Sequence, residues 1–168
     1  IANGHAVVLY HEHPLHGTPG DYPLRMAVVG ARTEDGLRKL SDVPAPCSAG
    51  VLGRGRVALT YGCRAVHAVD VSDPSAPVLI GSVAAPPGYP WTESDDITHA
   101  ALDRNILYAM SHRGALHRVA VADPRQMRWI SATQLPATPR PVYSRHVAAA
   151  DGFAWITRCE DGLLLLRQ

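Results

Sequence analysis

The chain has 168 residues, which is enough for one domain with a sizeable core. Hydrophobic residues make up 46% of it, which excludes a disordered polymer. A net charge of +1 excludes a protein-wide field that would steer it to nucleic acid or a membrane surface.

Local composition supports the same exclusions. Lys39 is the single lysine among 16 basic residues, and the arginines are scattered, whereas a phosphate-tracking groove needs them clustered. No apolar run approaches the ~18 residues of a membrane span. Cys47, Cys63 and Cys159 form no CxxC pair, so knuckle and thioredoxin spacings are absent. One disulfide with a free thiol fits this count. Three reduced, small buried thiols fit it better, because free Cys packs as a small hydrophobe. No signal peptide is visible. The chain begins Ile1-Ala2-Asn3-Gly4 without Met, and the expectation is that a leader or a larger N-terminal piece precedes it.

In chain order, the first predicted strand covers Ala2 to Val8, which matches Ala150 to Ile156 further on. An insertion rich in His, Pro and Gly follows from His11 to Tyr22. Leu24 to Gly30 is the next strand, Glu34-Asp35-Gly36 a turn, and Leu37 to Ser41 the strand after it. A second unit places strands near 48–52, 57–61, 66–71 and 77–83. In it Val69 and Val71 face one way and Asp70 the other, as a half-buried strand requires. A third unit places them near 99–102, 106–111, 115–121 and 127–133. A fourth runs from Gly152 to Gln168 with Asp161-Gly162 as its turn.

The Asp73-Pro74 and Asp123-Pro124 turns lie 50 residues apart, and His99 and His146 lie 47 apart. In each turn Asp accepts from the backbone just ahead and Pro presets φ. A period near 50 built of short strands predicts an all-β chain of β-propeller blades, about three and a half to four units. The expected boundaries are 1–46, 47–97, 98–144 and 145–168 in one domain. The first unit lacks its innermost strand and the last its outermost. A protein partner, a second copy, or another part of the polypeptide is therefore expected to complete the ring, the alternative being a compact four-bladed ring in which the two partial units merge at the seam.

The stretch Val69-Asp70-Val71-Ser72-Asp73-Pro74-Ser75-Ala76-Pro77-Val78-Leu79-Ile80-Gly81-Ser82 resembles the LVIVD repeat, found in a group of bacterial and archaeal β-propellers. Val119 to Pro124 and Asp161-Gly162-Leu163 resemble it too, and the likeness covers about two-thirds of the chain. It implies the propeller fold and a surface-exposed or secreted setting. It implies no catalytic residue, because the repeat positions are structural.

Two groups of residues carry candidate chemistry. His11-Glu12-His13, with His16 nearby, puts two imidazoles on one face of an extended segment, ~6.5 Å apart, which suits a divalent metal, although HxH alone is a weak signal and a solvated polar insertion fits the Pro/Gly-rich segment better. His99 and His146 open equivalent innermost strands. The connections before them carry Trp91, Glu93, Asp95 and Asp96 in one case and Arg145 in the other. Acids, imidazoles, Arg and an aromatic gathered at one mouth are what a ligand site needs. Two histidines there could hold a metal or act as a base, or simply bond the backbone between blades. His67, Asp70 and His117 are expected to face solvent or a neighbouring blade, and Trp129 and Trp155 to fill inter-blade core. No nucleophile elbow, P-loop, dinucleotide fingerprint or HExxH occurs. The reading is a non-catalytic binding or scaffold module without a resident cofactor, presenting one face to a protein or other ligand. The alternative is a metal-dependent enzyme or metal-binding protein with its His/Asp site at the channel mouth. Any active residues could also lie on a missing part of the ring.

Overall fold

A computed structural model gives the fold. It describes residues 5–11, 24–33, 36–46, 48–86, 96–136, 146–157 and 162–167. These form strands and turns and no helix, so none is long and apolar enough to cross a membrane. Fourteen strands make four antiparallel sheets, each a meander in chain order.

The first sheet holds β1 (Ala6–His11), β2 (Leu24–Thr33) and β3 (Gly36–Pro44). The second holds β4 (Gly50–Arg54), β5 (Val57–Gly62), β6 (Ala65–Asp70) and β7 (Val78–Ala84). The third holds β8 (Ile97–Asp103), β9 (Ile106–Ser111), β10 (Ala115–Ala120) and β11 (Arg128–Gln134). The fourth holds β12 (Val147–Ala150), β13 (Phe153–Thr157) and β14 (Leu163–Arg167). The predicted all-β chain of three- and four-stranded units is what forms.

The repeat is reproduced in detail. Asp73 Oδ1 accepts from Ser75 N–H at 2.9 Å, and Asp123 Oδ1 from Arg125 N–H at 2.9 Å. The Asp73 and Asp123 carbonyls accept from Ala76 and Gln126, closing both turns as the Asp-Pro chemistry predicts. A register shift falls between Ala68 and Val69 and between Arg118 and Val119, the same place in both sheets. Such a shift increases local twist.

Neighbouring sheets stack in chain order through their inner strands: β1 on β4, β4 and β5 on β8, β8 and β9 on β12. Among the described residues, β7, β11 and β14 make no comparable strand-to-strand packing with another sheet, and none joins the first sheet to the last.

Strand alternation explains the stacking. On β5, Ala58 joins Met26 and Val28 of the first sheet, while its neighbour Leu59 turns to Leu107 of the third. On β9, Leu107 faces back and Tyr108 faces forward onto Ala154 and Ile156. A strand covered on both faces needs a continuous apolar run, and Val57-Ala58-Leu59 and Ile106-Leu107-Tyr108 supply it.

Polar links reinforce each step. Arg54, the last residue of β4, reaches the third sheet, donating to the Val121 carbonyl and, at 2.5 Å, to Asn105 Oδ1. Asp103 occupies the equivalent position one unit on and accepts from Gly152 N–H at 2.9 Å. Gly81 lies against the next sheet's turn, where a Cβ would collide with the Pro124 carbonyl, so the motif glycine is a packing requirement.

The cysteines correct an expectation. Cys63 is not a buried thiol: it is exposed in the β5–β6 turn and disulfide-bonded. The other two cysteines lie outside the described residues. His117, expected to face solvent or a neighbouring blade, does not face solvent: it is 1% exposed and packs edge-on against Trp129, ring centroids 5.1 Å apart.

Candidate functional site

His99 lies on β8, and His146, its equivalent in the repeat, directly precedes β12; β8 and β12 are the innermost strands of adjacent sheets. Because these two strands pack on one another, the side chains meet. The ring centroids are 4.3 Å apart with the planes at 65°, an edge-to-face pair. Both strands begin where a long connection ends, 87–95 before β8 and 137–145 before β12.

Each histidine is fixed locally. His99 Nδ1 is 3.2 Å from Thr98 Oγ1. The His146 backbone N–H donates to Thr157 Oγ1 at 3.1 Å, and its carbonyl accepts from Thr157 N–H at 3.0 Å. The equivalent position in the second sheet is Gly50. There the Tyr61 hydroxyl takes the space a side chain would need and bonds to the Ala100 backbone. The inner row thus reads Tyr61, His99, His146 along three successive sheets.

Asp96 sits at the entrance to β8, but its carboxylate is engaged. Asp96 Oδ1 accepts from Arg64 N–H at 3.1 Å and from Ile97 N–H at 2.7 Å. Its carbonyl accepts from His112 N–H at 2.8 Å. Asp96 therefore ties the third sheet to the β5–β6 turn of the second. Trp91, Glu93, Asp95, Arg145 and His13 lie outside the described residues. His11 ends β1, and its side chain is likewise outside them. Among the described residues no cluster of three or more His, Cys, Asp or Glu could hold a metal ion. The His99–His146 pair supplies two imidazole ligands, and any third would have to come from elsewhere.

Burial pushes the His99 imidazole below its ordinary 6.5, and the nearby His146 acts in the same direction. Burial also lowers His67, whose Nδ1 is 3.0 Å from Ser82 Oγ. The sign of the pH effect follows. Just below 6.5 the unfolded chain takes up protons that the folded chain resists, so stability rises with pH there. The contribution is complete above about 6.5 and declines as pH falls through the depressed values. Urea midpoints are expected to drop from pH 7.5 to pH 5, and His99→Gln to remove part of that drop. A midpoint flat over this range would contradict the burial of both imidazoles.

A different polar cluster occupies the outer face of the first sheet, and sequence reasoning did not single it out. Asp42 accepts from Tyr10 Oη at 2.5 Å, Lys39 Nζ at 2.6 Å and Arg25 Nε at 3.0 Å. These donors hold its carboxyl well below the usual carboxylate range, Lys39 having the largest effect. The register aligns Ala27 with Asp42 and Arg25 with Tyr10, so the cluster comes from strand pairing across 32 residues, which no local motif signals. A cleft of about 390 Å³ lies against β11, lined by Pro86, Trp129 and Ile130 among others. It is at the outer edge of the third sheet, the opposite edge from β8, which carries His99.

No protein-family model and no curated protein matches this chain.

Proposed function

We propose that the chain is part of a β-propeller of the LVIVD-repeat kind and serves as a non-catalytic binding and scaffold module. It presents the end of the stack where segments 87–95 and 137–145 enter β8 and β12. One observation carries this reading: two equivalent inner-strand histidines touch at that end, directly after the two longest inter-sheet connections. Trp91, Glu93, Asp95 and Arg145 belong to these two segments in the sequence, and their aromatic, acidic and basic chemistry suits recognition of a ligand. Supporting the fold are four antiparallel meanders and the repeated Asp-Pro turns. A disulfide at Cys63 favours an oxidising, extracytoplasmic setting, in keeping with the resemblance.

The imidazole pair itself favours a second reading, a divalent-metal site. Imidazole ligands sit ~2 Å from zinc, and centroids 4.3 Å apart let both rings reach one ion after a rotation from edge-to-face. One experiment separates the two. Zinc is titrated calorimetrically into the chain and into His99→Ala, and each is then tested for capture of cross-linked partners from its source. The binding-module reading expects no stoichiometric zinc, and partner capture that is lost in a Trp91→Ala, Arg145→Ala variant. One zinc per chain, lost in His99→Ala and retained in His11→Ala, would replace it with the metal reading.

A further inference from the structure

We infer that Cys63 is bonded to Cys47, and that this disulfide is a redox-sensitive clasp on the end of the stack that carries His99.

The partner follows from position. Cys63 is disulfide-bonded, and the other cysteines of this chain are Cys47 and Cys159. The ladder between β4 and β5 pairs Gly50 with Tyr61 and runs on past them, since Ala49 N–H donates to the Tyr61 carbonyl at 2.6 Å. Gly62 then lies against Ser48, where a Cβ on the glycine would stand 2.8 Å from Ser48 Cα. Cys63 follows Gly62 and Cys47 precedes Ser48, so the antiparallel run leads each cysteine toward the other. Facing residues of such a run have Cα atoms ~4.5–5.5 Å apart, inside the ~4.4–6.8 Å that a disulfide spans. Ser48 Oγ also donates to the Pro46 carbonyl at 2.8 Å, so the residues on either side of Cys47 are held close together.

Cys159 fails the same test. It falls between Thr157, which ends β13, and Leu163, which opens β14. Tyr61 faces Gly50 and Thr157 bonds to His146, so Cys159 is the fourth sheet's equivalent of Cys63. The third sheet packs between the second and the fourth. Sheets stacked face to face lie ~10 Å apart, and two such steps exceed the reach of an S–S bond.

The bond joins links from three sheets. Ala45 N–H donates to the Leu24 carbonyl at 2.9 Å, which fastens the segment before Cys47 to the first sheet. Arg64, next to Cys63, accepts from Ala85 N–H at 2.8 Å through its carbonyl and donates to Asp96 Oδ1 at 3.1 Å. Asp96 in turn holds the N–H groups of Ile97 and His112, at the entry to β8. Cys63 is exposed, so an attacking thiolate can reach its sulfur, and exposed disulfides are the labile kind. A dithiol reductant supplies two electrons and two protons: the S–S bond breaks, both cysteines become thiols, and the reductant closes to its own disulfide. The oxidised chain thereby holds the entry to β8, and the reduced chain releases it. This makes the end assigned above to binding rigid only in an oxidising setting, but the clasp does not depend on that role.

Non-reducing peptide mapping of the unaltered chain, with free thiols alkylated first, tests the pairing. One linked pair joining Cys47 to Cys63, with Cys159 alkylated, is the expected result. Any other pairing, or alkylation of all three cysteines, would overturn it. Hydrogen exchange before and after dithiothreitol tests the clasp. The amides of Arg64, Ile97 and His112 are expected to exchange about tenfold faster on reduction, while Leu107 and Val119, paired inside the third sheet, stay protected. Cys47→Ser is expected to match the reduced chain without reductant, and Cys159→Ser to match the oxidised one. Should Cys47→Ser fail to fold, reduction of the unaltered chain decides. Unchanged exchange at the three amides, or loss of protection throughout the third sheet as well, would overturn a local clasp.

Discussion

Leu107→Ala is expected to lower folding stability by about 3 kcal/mol, read as a shift in urea midpoint at unchanged slope. Leu107 is fully buried between the second and third sheets, against Leu59, Val66 and Ile97 among others. Truncation removes the burial of three carbons and leaves a cavity. The wall of that cavity is two sheets held apart by their own hydrogen-bond ladders, so it collapses poorly. The consequence reaches the site. Leu107 pairs with Leu102 on β8, the strand that carries His99. Binding at the histidine end should therefore weaken in proportion to the population in which β8 has loosened. A loss under about 1 kcal/mol would mean that this interface is not the well-packed core described here.

Cys63→Ser is expected to cost about 2–4 kcal/mol, and a reductant to produce the same loss in the unaltered chain but none in the variant. The disulfide limits the unfolded ensemble. It also sits in a strained place. Cys63 and Arg64 are the two central residues of the β5–β6 hairpin and have φ of +45° and +59°. That turn geometry favours Asn-Gly, and two side-chain-bearing residues adopt it at a cost. The bond from Arg64 N–H to Asp96 and the disulfide together hold it. Loss of Cys63 should loosen Asp96, hence the entry to β8. If the variant and the reduced chain unfold at different midpoints, the disulfide is not the source of the effect.

The repeat was legible because its determinants are local. Asp73-Pro74 and Asp123-Pro124 set turns by chemistry within four residues, and alternation in Val66-His67-Ala68-Val69 sets a strand by itself. The spacing of His99 and His146 pointed to equivalent positions, and the pair does meet. What stayed hidden was everything set by partners distant in sequence. Asp96 reads as a loop acid, and nothing local signals that its Oδ1 accepts from a backbone N–H 32 residues earlier. His117 reads as facing either solvent or a neighbouring blade, and only the fold decides between them, burying it against Trp129. Cys63 reads as a small hydrophobe, yet it is exposed and bonded.

The sequence by itself determined the all-β class, the unit length, the turns and the strand order, because those depend on side-chain periodicity and φ preferences over a few residues. Only the tertiary structure decided which faces are covered. Trp155 and Tyr108 sit at the same repeat position and both suit a strand face, but one has a sheet packed on it and the other does not. Burial depends on what lies across the interface, and that is a property of the stack rather than of any residue in it.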